Sequence, residues 1–163
     1  MNAQVKPQVT IGVERYSDAL IEEMKPLLKR NWWRSESHTH DFDLDPNFET
    51  YKRMDAAGKL LALFARLEGR LVGYIVYFVA PSTHHKTILA AHGDIIYVED
   101  EPALARVAGE LLERSEAMLR EQGVQVIGWF TNSGSRLHRL LKVKGHKDDE
   151  IVTEKWLCAR LPT

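Results

Sequence analysis

The sequence predicts an α/β domain of the mixed (α+β) kind: a mixed sheet with helices on both faces, in the order β-α-α-β-β-β-α-β-α-β. Three observations carry this expectation. Two apolar runs, Leu60–Leu67 and Leu71–Ala80, flank a two-residue Glu68-Gly69 turn. A segment of clear helical period follows a third apolar run and leads at once into a fourth. Strand-like and helix-like segments interleave along the chain instead of segregating.

Each element has a local reason. Val9, Ile11 and Val13 alternate with Thr10 and Gly12, as in a short strand. Ser17 is a good N-cap for a helix through Leu20, Ile21, Met24, Leu27 and Leu28, with a kink or break expected at Pro26. A polar segment from Asn31 to Asp45 follows, and Asp45-Pro46 or Asn47 starts a second helix through Phe48, Tyr51 and Met54 that ends near Gly58. After the hairpin, Pro81–Lys86 is a loop and Asp94–Val98 closes a third strand. Leu104, Val107, Ala108, Leu111, Ser115, Met118 and Leu119 share one helical face; Pro102 suits that helix's first turn and Gly123 its end. Val124–Phe130 is a strand of the buried kind. Ser133 or Ser135 caps a helix through Leu137, Leu140 and Leu141 that stops at Gly145, and Ile151–Leu161 is a last strand.

Composition narrows the function classes. The chain has 163 residues, within the roughly 100–200 of a single domain, and residues 1–163 are expected to form one, with the polar stretch 1–8 flexible. Lys and Arg number 22 against 23 Asp and Glu, so the net charge of −1 builds in no attraction to nucleic acid or to an anionic membrane. Cys158 is the lone cysteine, which excludes an internal disulfide framework or a cysteine-rich zinc module. With no signal-like apolar stretch at the start and no run long enough to span a membrane, a cytoplasmic protein is expected.

Leu71-Val72-Gly73-Tyr74 after a tight hairpin, Asp94-Ile95-Ile96-Tyr97-Val98 followed by Leu111-Leu112-Glu113 and Glu121-Gln122-Gly123-Val124, and Leu140-Leu141-Lys142-Val143-Lys144-Gly145-His146 occur in one order and spacing. From Leu61 to Leu157 the chain thereby resembles the GNAT superfamily of N-acetyltransferases. Around His84-His85-Lys86 and His38–Pro46 it looks most like the short members carried by phages and prophages, which would place it in a host cytoplasm. The resemblance implies a mostly antiparallel central sheet, acetyl-CoA as cofactor, and acetyl transfer to an amine of a small molecule or protein. It also implies that backbone around Ile96 and Val98 holds the pantetheine arm.

The family's pyrophosphate loop, Arg/Gln-x-x-Gly-x-Gly/Ala, falls on Ala103-Leu104-Ala105-Arg106-Val107-Ala108, where only Ala108 fits the pattern. In such a loop free N–H groups and the helix dipole hold the phosphates, and glycine lets the backbone approach. Glu99, Asp100 and Glu101 just upstream favour the helix start and would repel an anion. The tyrosine with which many members protonate the departing thiolate is Leu141 here.

Among candidate catalytic residues, Asp94 stands where the family keeps a carboxylate base, although a strand-edge Asp also satisfies turns. Tyr97 offers a phenol or a packed aromatic; His84, with His85 and His92, offers a near-neutral base or a solvated loop side chain. Arg106 is either a substitute anion anchor or a helix arginine paired with Glu110. His38, His40 and Asp41 would border the acceptor groove, where acidity favours a cationic amine or a basic partner surface; their spacing does not match a metallohydrolase site, and no metal is expected. Of Trp32 and Trp33, one is expected to pack in the core and the other to serve as an interface anchor. A basic last helix reads as a solvated face before it reads as a nucleic-acid site.

These residues support two readings of function. One is an acetyl-CoA-dependent N-acetyltransferase. The other is a catalytically inactive protein of the same fold, of phage type, that binds and modulates a host protein. A homodimer through the last strand, near Trp156, is compatible with either.

Overall fold

The computed structural model describes residues 8–35 and 43–149. The last strand expected over 151–161 and the segment holding His38, His40 and Asp41 lie outside the described residues. One five-stranded sheet has the order β1-β2-β3-β4-β5, with β1 Val9–Val13, β2 Leu60–Leu67, β3 Arg70–Pro81, β4 Leu89–Val98 and β5 Val126–Trp129. The first four strands form an antiparallel meander and β5 joins β4 in parallel. A parallel neighbour needs a crossover, and the long amphipathic helix supplies it.

Four helices cover the sheet: α1 Asp18–Ser35, α2 Phe48–Ala56, α3 Val107–Glu121 and α4 Arg136–Val143. Strand periodicity sorts the core between the faces. Ala62, Phe64, Tyr74, Val76 and Tyr97 pack under α1 through Leu20, Ile21, Met24, Leu27 and Leu28. Leu63, Ala65, Val72, Ile75 and Tyr77 meet Leu111, Leu112 and Leu119 of α3 and Leu141 of α4 on the other face. Burial of each such side chain contributes about 1.5–3 kcal/mol.

Local chemistry sets most boundaries where the sequence places them. Glu68 and Gly69 both take positive φ, 50° and 87°, as a two-residue hairpin of right-handed twist requires. Asn47 caps α2 by accepting from Thr50 N–H at 3.1 Å, and Ser135 caps α4 by accepting from His138 N–H at 3.1 Å.

Three elements differ from expectation. The strand expected as buried over Val124–Phe130 is Val126–Trp129, with Val126 and Phe130 exposed. α1 runs unbroken past Pro26 to Ser35 and so carries Trp32 and Trp33 on its last turns; the buried Leu27 and Leu28 beyond the proline hold it to the sheet. Pro102–Leu104 is a separate 3-10 turn and α3 starts only at Val107, although Leu104 is buried as its spacing implied.

β4 carries the irregularity that matters for function. Val76 pairs with Ile95 and Tyr77 with Gly93, which leaves Asp94 as an extra, bulged residue. On its other edge β4 pairs with β5 only over Ala90–Gly93. Beyond that point the backbone of Asp94–Val98 has no strand on the β5 side among the described residues. Gly93 lies beneath the Trp129 indole, where an added Cβ would come within 2.2 Å of the ring, and a Cβ at Gly73 would meet the Tyr97 carbonyl oxygen at 2.8 Å.

Gly73→Ala and Gly93→Ala are therefore expected to lose about 1–3 kcal/mol of stability in urea unfolding, as overpacked cores do. Gly12→Ala, with nothing within 4 Å of the new methyl, is expected to be neutral or to gain roughly 0.5–1 kcal/mol.

Candidate active site

The bulge in β4 decides which side chains meet. Gly93 faces Trp129 in the α3 and α4 layer. With one residue inserted, Asp94 and Ile95 both turn toward the α1 and α2 layer, where Tyr51 of α2 donates its hydroxyl hydrogen to Asp94 Oδ2 at 2.7 Å. The two residues form part of an open groove of about 600 Å³, some of it solvent. Its apolar wall is Leu28, Trp32, Leu44, Pro46 and Ile95, and its polar groups are Asn31, Asp45, Tyr51 and Asp94.

Asp94 is open toward this groove, yet the surrounding protein strips enough water from its carboxyl to raise its pKa above the ordinary carboxylate value. The Tyr51 hydrogen bond and the nearby His92 pull it partly back. A carboxylate moved upward and held by one phenol is suited to accept a proton near neutrality.

Tyr51 also stacks on Tyr16, with ring centroids 5.5 Å apart. The Tyr16 hydroxyl is buried without a partner among the described residues, and its pKa is raised by burial first and then by Asp94 and Asp55. Tyr16 leads inward from the groove, with Met24 and Phe48, into a smaller apolar recess.

Other candidates are placed differently. Tyr97 is buried at 3% exposure, and its hydroxyl donates to Glu99 at 3.0 Å while the Arg34 guanidinium lies 5.2 Å from its ring centroid. Burial and that bond to Glu99 raise its pKa. His84 sits in the β3–β4 loop, at the far end of β4 from the strand's open edge. Trp32 is half-buried at the groove, while Trp33 is 64% exposed, so neither joins the buried core. Among the described residues no cluster of three or more His, Cys, Asp or Glu side chains is arranged to hold a metal, and no helix is long and apolar enough to cross a membrane.

At the C-terminal end of β4 two carboxylates of the acidic run, Glu99 and Glu101, are paired with arginines. Arg30 binds Glu99, and Arg70 donates to Glu101 at 2.9 Å. The repulsion of an anion expected from these carboxylates is thus reduced by two guanidinium groups. Beyond the 3-10 turn, Glu110 N–H makes the first α3 bond outside the turn, to the Arg106 carbonyl, and no side chain caps the helix. The N–H groups of Val107, Ala108 and Gly109 precede it. Ala103, Ala105 and Arg106 are exposed, and Lys144 from the end of α4 reaches over Gly109, 3.6 Å from where a Cβ would stand. Arg106 is exposed beside this turn, while the Lys144 ammonium is paired with Glu113. Uncapped N–H groups beside an exposed guanidinium are chemically suited to an anion such as a diphosphate.

Sequence reasoning singled out Asp94 and Trp32 but missed Tyr51 as their companion. The signal was weak: Tyr51 reads as one more apolar-face residue of a short helix. The bulge that aims Asp94 at it has one mark in the sequence, the Gly93-Asp94 pair that interrupts the strand pattern.

No protein-family model matches the chain, and no curated protein does. Solved structures do. A ribosomal-protein-alanine N-acetyltransferase from Brucella melitensis biovar Abortus 2308 superposes with a TM-score of 0.67 at 18% identity, over 93% of this chain and 100% of that one. A predicted acetyltransferase with acetyl-CoA from Clostridium acetobutylicum gives 0.68 at 15%, over 92% and 97%. The glucosamine-6-phosphate N-acetyltransferase of Arabidopsis thaliana gives 0.69 at 12%, over 93% and 99%. At such identities the likeness concerns architecture, and the architecture is the GNAT N-acetyltransferase fold.

Proposed function

We propose that this protein is an N-acetyltransferase that moves an acetyl group from acetyl-CoA to a primary amine, with Asp94 as the base. The observation that carries this reading is the bulged Asp94, held by Tyr51, at the point where β4 loses its β5 partner. A proton acceptor there lies beside an open strand edge on one side and a groove on the other.

Bound acetyl-CoA supplies the acyl group already activated as a thioester. The free edge of Ile96–Val98 offers backbone groups to the pantetheine arm, and the N–H groups of Val107–Gly109 with Arg106 serve the pyrophosphate. An amine reaches the groove as an ammonium ion. Asp94 takes one proton from it, directly or through a water, and frees the nitrogen lone pair for the acyl carbon. A new C–N bond forms as the C–S bond breaks. The second amine proton goes to the departing sulfur, since Leu141, buried at 4% exposure, cannot supply one. Tyr97, committed to Glu99, braces the end of β4.

A second reading rests on Trp33, exposed at the end of α1, and on the Pro102–Leu104 turn that replaces a glycine loop. On it the chain is an inactive relative, of phage type, that docks on a protein through the α1 end and the groove.

Titration calorimetry with acetyl-CoA separates the two. Micromolar binding, weakened about tenfold by Arg106→Ala as for loss of a charged hydrogen bond, supports the enzyme; no heat and no thermal shift at millimolar ligand would sink it. With turnover in hand, Asp94→Asn is expected to lower kcat/KM by about 10²–10⁴. The rising limb of the pH–rate profile should follow the upward-shifted Asp94 carboxyl. Tyr51→Phe, which removes a bond that lowers that pKa, should move the limb to higher pH.

The same carboxyl sets a stability test. A folded-state pKa above the unfolded value means that Asp94 costs stability as pH rises from about 4 through its folded pKa. Asp94→Asn is expected to raise Tm at pH 7 and to lose that advantage below pH of about 4. An inactive variant no more stable than wild type at neutral pH would contradict the raised pKa.

A further inference from the structure

The groove beside Asp94 has a composition that discriminates among amines, a selectivity that rests on the acetyl-transfer reading. Its walls are apolar or aromatic: Leu28, Trp32, Leu44, Pro46 and Ile95, with the Tyr51 ring beside Asp94. Its charges are the carboxylates of Asp45 and Asp94, and no Lys, Arg or His is among the described residues lining it. The apolar surface continues inward past Tyr51 to Met24, Phe48 and the ring of Tyr16.

We propose that the acceptor is a primary amine on an apolar stem, aliphatic or aromatic, bearing neither a phosphate nor the hydroxyl crown of a sugar. The ammonium seats at Asp94, the stem lies against Trp32, Tyr51 and Ile95, and Asp45 keeps the rim attractive to cations. Three physical terms favour this class. A cation entering between two carboxylates gains from both. A methylene or aryl stem gains by leaving water for the apolar wall. A phosphate would meet carboxylates with no cation among the described lining residues to receive it, and the many hydroxyls of a sugar would have only Asn31, Asp45, Tyr51 and Asp94 to pair with on an otherwise apolar wall. Such an acceptor separates this chain from its glucosamine-6-phosphate-acetylating structural neighbour, despite their shared architecture.

The test is calorimetric titration of the full chain with phenethylamine, hexylamine and glucosamine 6-phosphate, each with and without saturating CoA. The two apolar amines are expected to bind at least about tenfold more tightly than the phosphosugar. Asp94→Asn should weaken them by about tenfold, as for loss of a charged hydrogen bond, while circular dichroism shows the variant folded. Trp32→Ala should weaken phenethylamine without affecting acetyl-CoA. Glucosamine 6-phosphate binding as well as the apolar amines overturns the proposal, as does an amine affinity indifferent to Asp94→Asn, or no amine heat in either condition. Failure of acetyl transfer is read separately. Amine binding without acetyl-CoA binding supports the groove's selectivity and removes the enzyme; acetyl-CoA binding with a preference for the phosphosugar keeps the enzyme and removes the selectivity.

Discussion

One inserted residue in β4 governs the arrangement of the site. A strand alternates its side chains between faces, and without the bulge Asp94 and Ile95 would point to opposite layers. The insertion turns both toward α1 and α2 and places the carboxyl within a hydrogen bond of Tyr51. It also coincides with the end of β4–β5 pairing, because Gly93 is the last residue of β4 matched to β5. The Trp129 ring lies across Gly93 at that boundary, so the sheet is tightly packed up to the bulge and has a free edge after it. The Asp94 carboxyl, the groove and the open strand edge meet at a single irregularity.

The cost of this arrangement sits in the α1 and α2 layer. Asp94 is partly stripped of water, and the hydroxyls of Tyr16 and Tyr74 are buried without partners among the described residues. An unmet buried hydroxyl costs roughly 1–3 kcal/mol. The α3 and α4 face leaves one such atom among the described residues, Trp129 Nε1, while its Ser115 hydroxyl bonds Tyr77 at 3.1 Å and the Leu112 carbonyl at 2.9 Å. Polar strain of this kind concentrates where a protein binds or reacts, and here it surrounds Asp94.

Legibility in the sequence tracks the range of the interactions involved. The hairpin, the caps at Asn47 and Ser135, and the crossover helix depend on neighbours a few residues apart, and the structure has them where local chemistry puts them. α1 ran longer than Pro26 and the polar Trp32–Ser35 stretch implied, because packing of Leu27 and Leu28 on the sheet outweighs one lost helix bond. Asp94 stood out as a carboxylate at the right strand. Tyr51, 43 residues away, could not be connected to it: Gly93 hints at a bulge, but which way the bulge turns Asp94 depends on how two strands register.

The start of α3 shows how a motif read along the chain differs from the field in space. Read along the chain, Glu99 and Glu101 stand as charges against a diphosphate, and Ala103–Ala108 as a damaged loop. In space Arg30, from α1, and Arg70, from the start of β3, answer those carboxylates, while Lys144, from the end of α4, lies over the first turns of α3. What a glycine loop does is expose N–H groups beneath positive potential. The uncapped helix start beside the exposed Arg106 has both ingredients, the second in weaker form because the Lys144 charge is shared with Glu113. The relevant quantity is the net field at the helix start, which a motif reads only when its residues are contiguous.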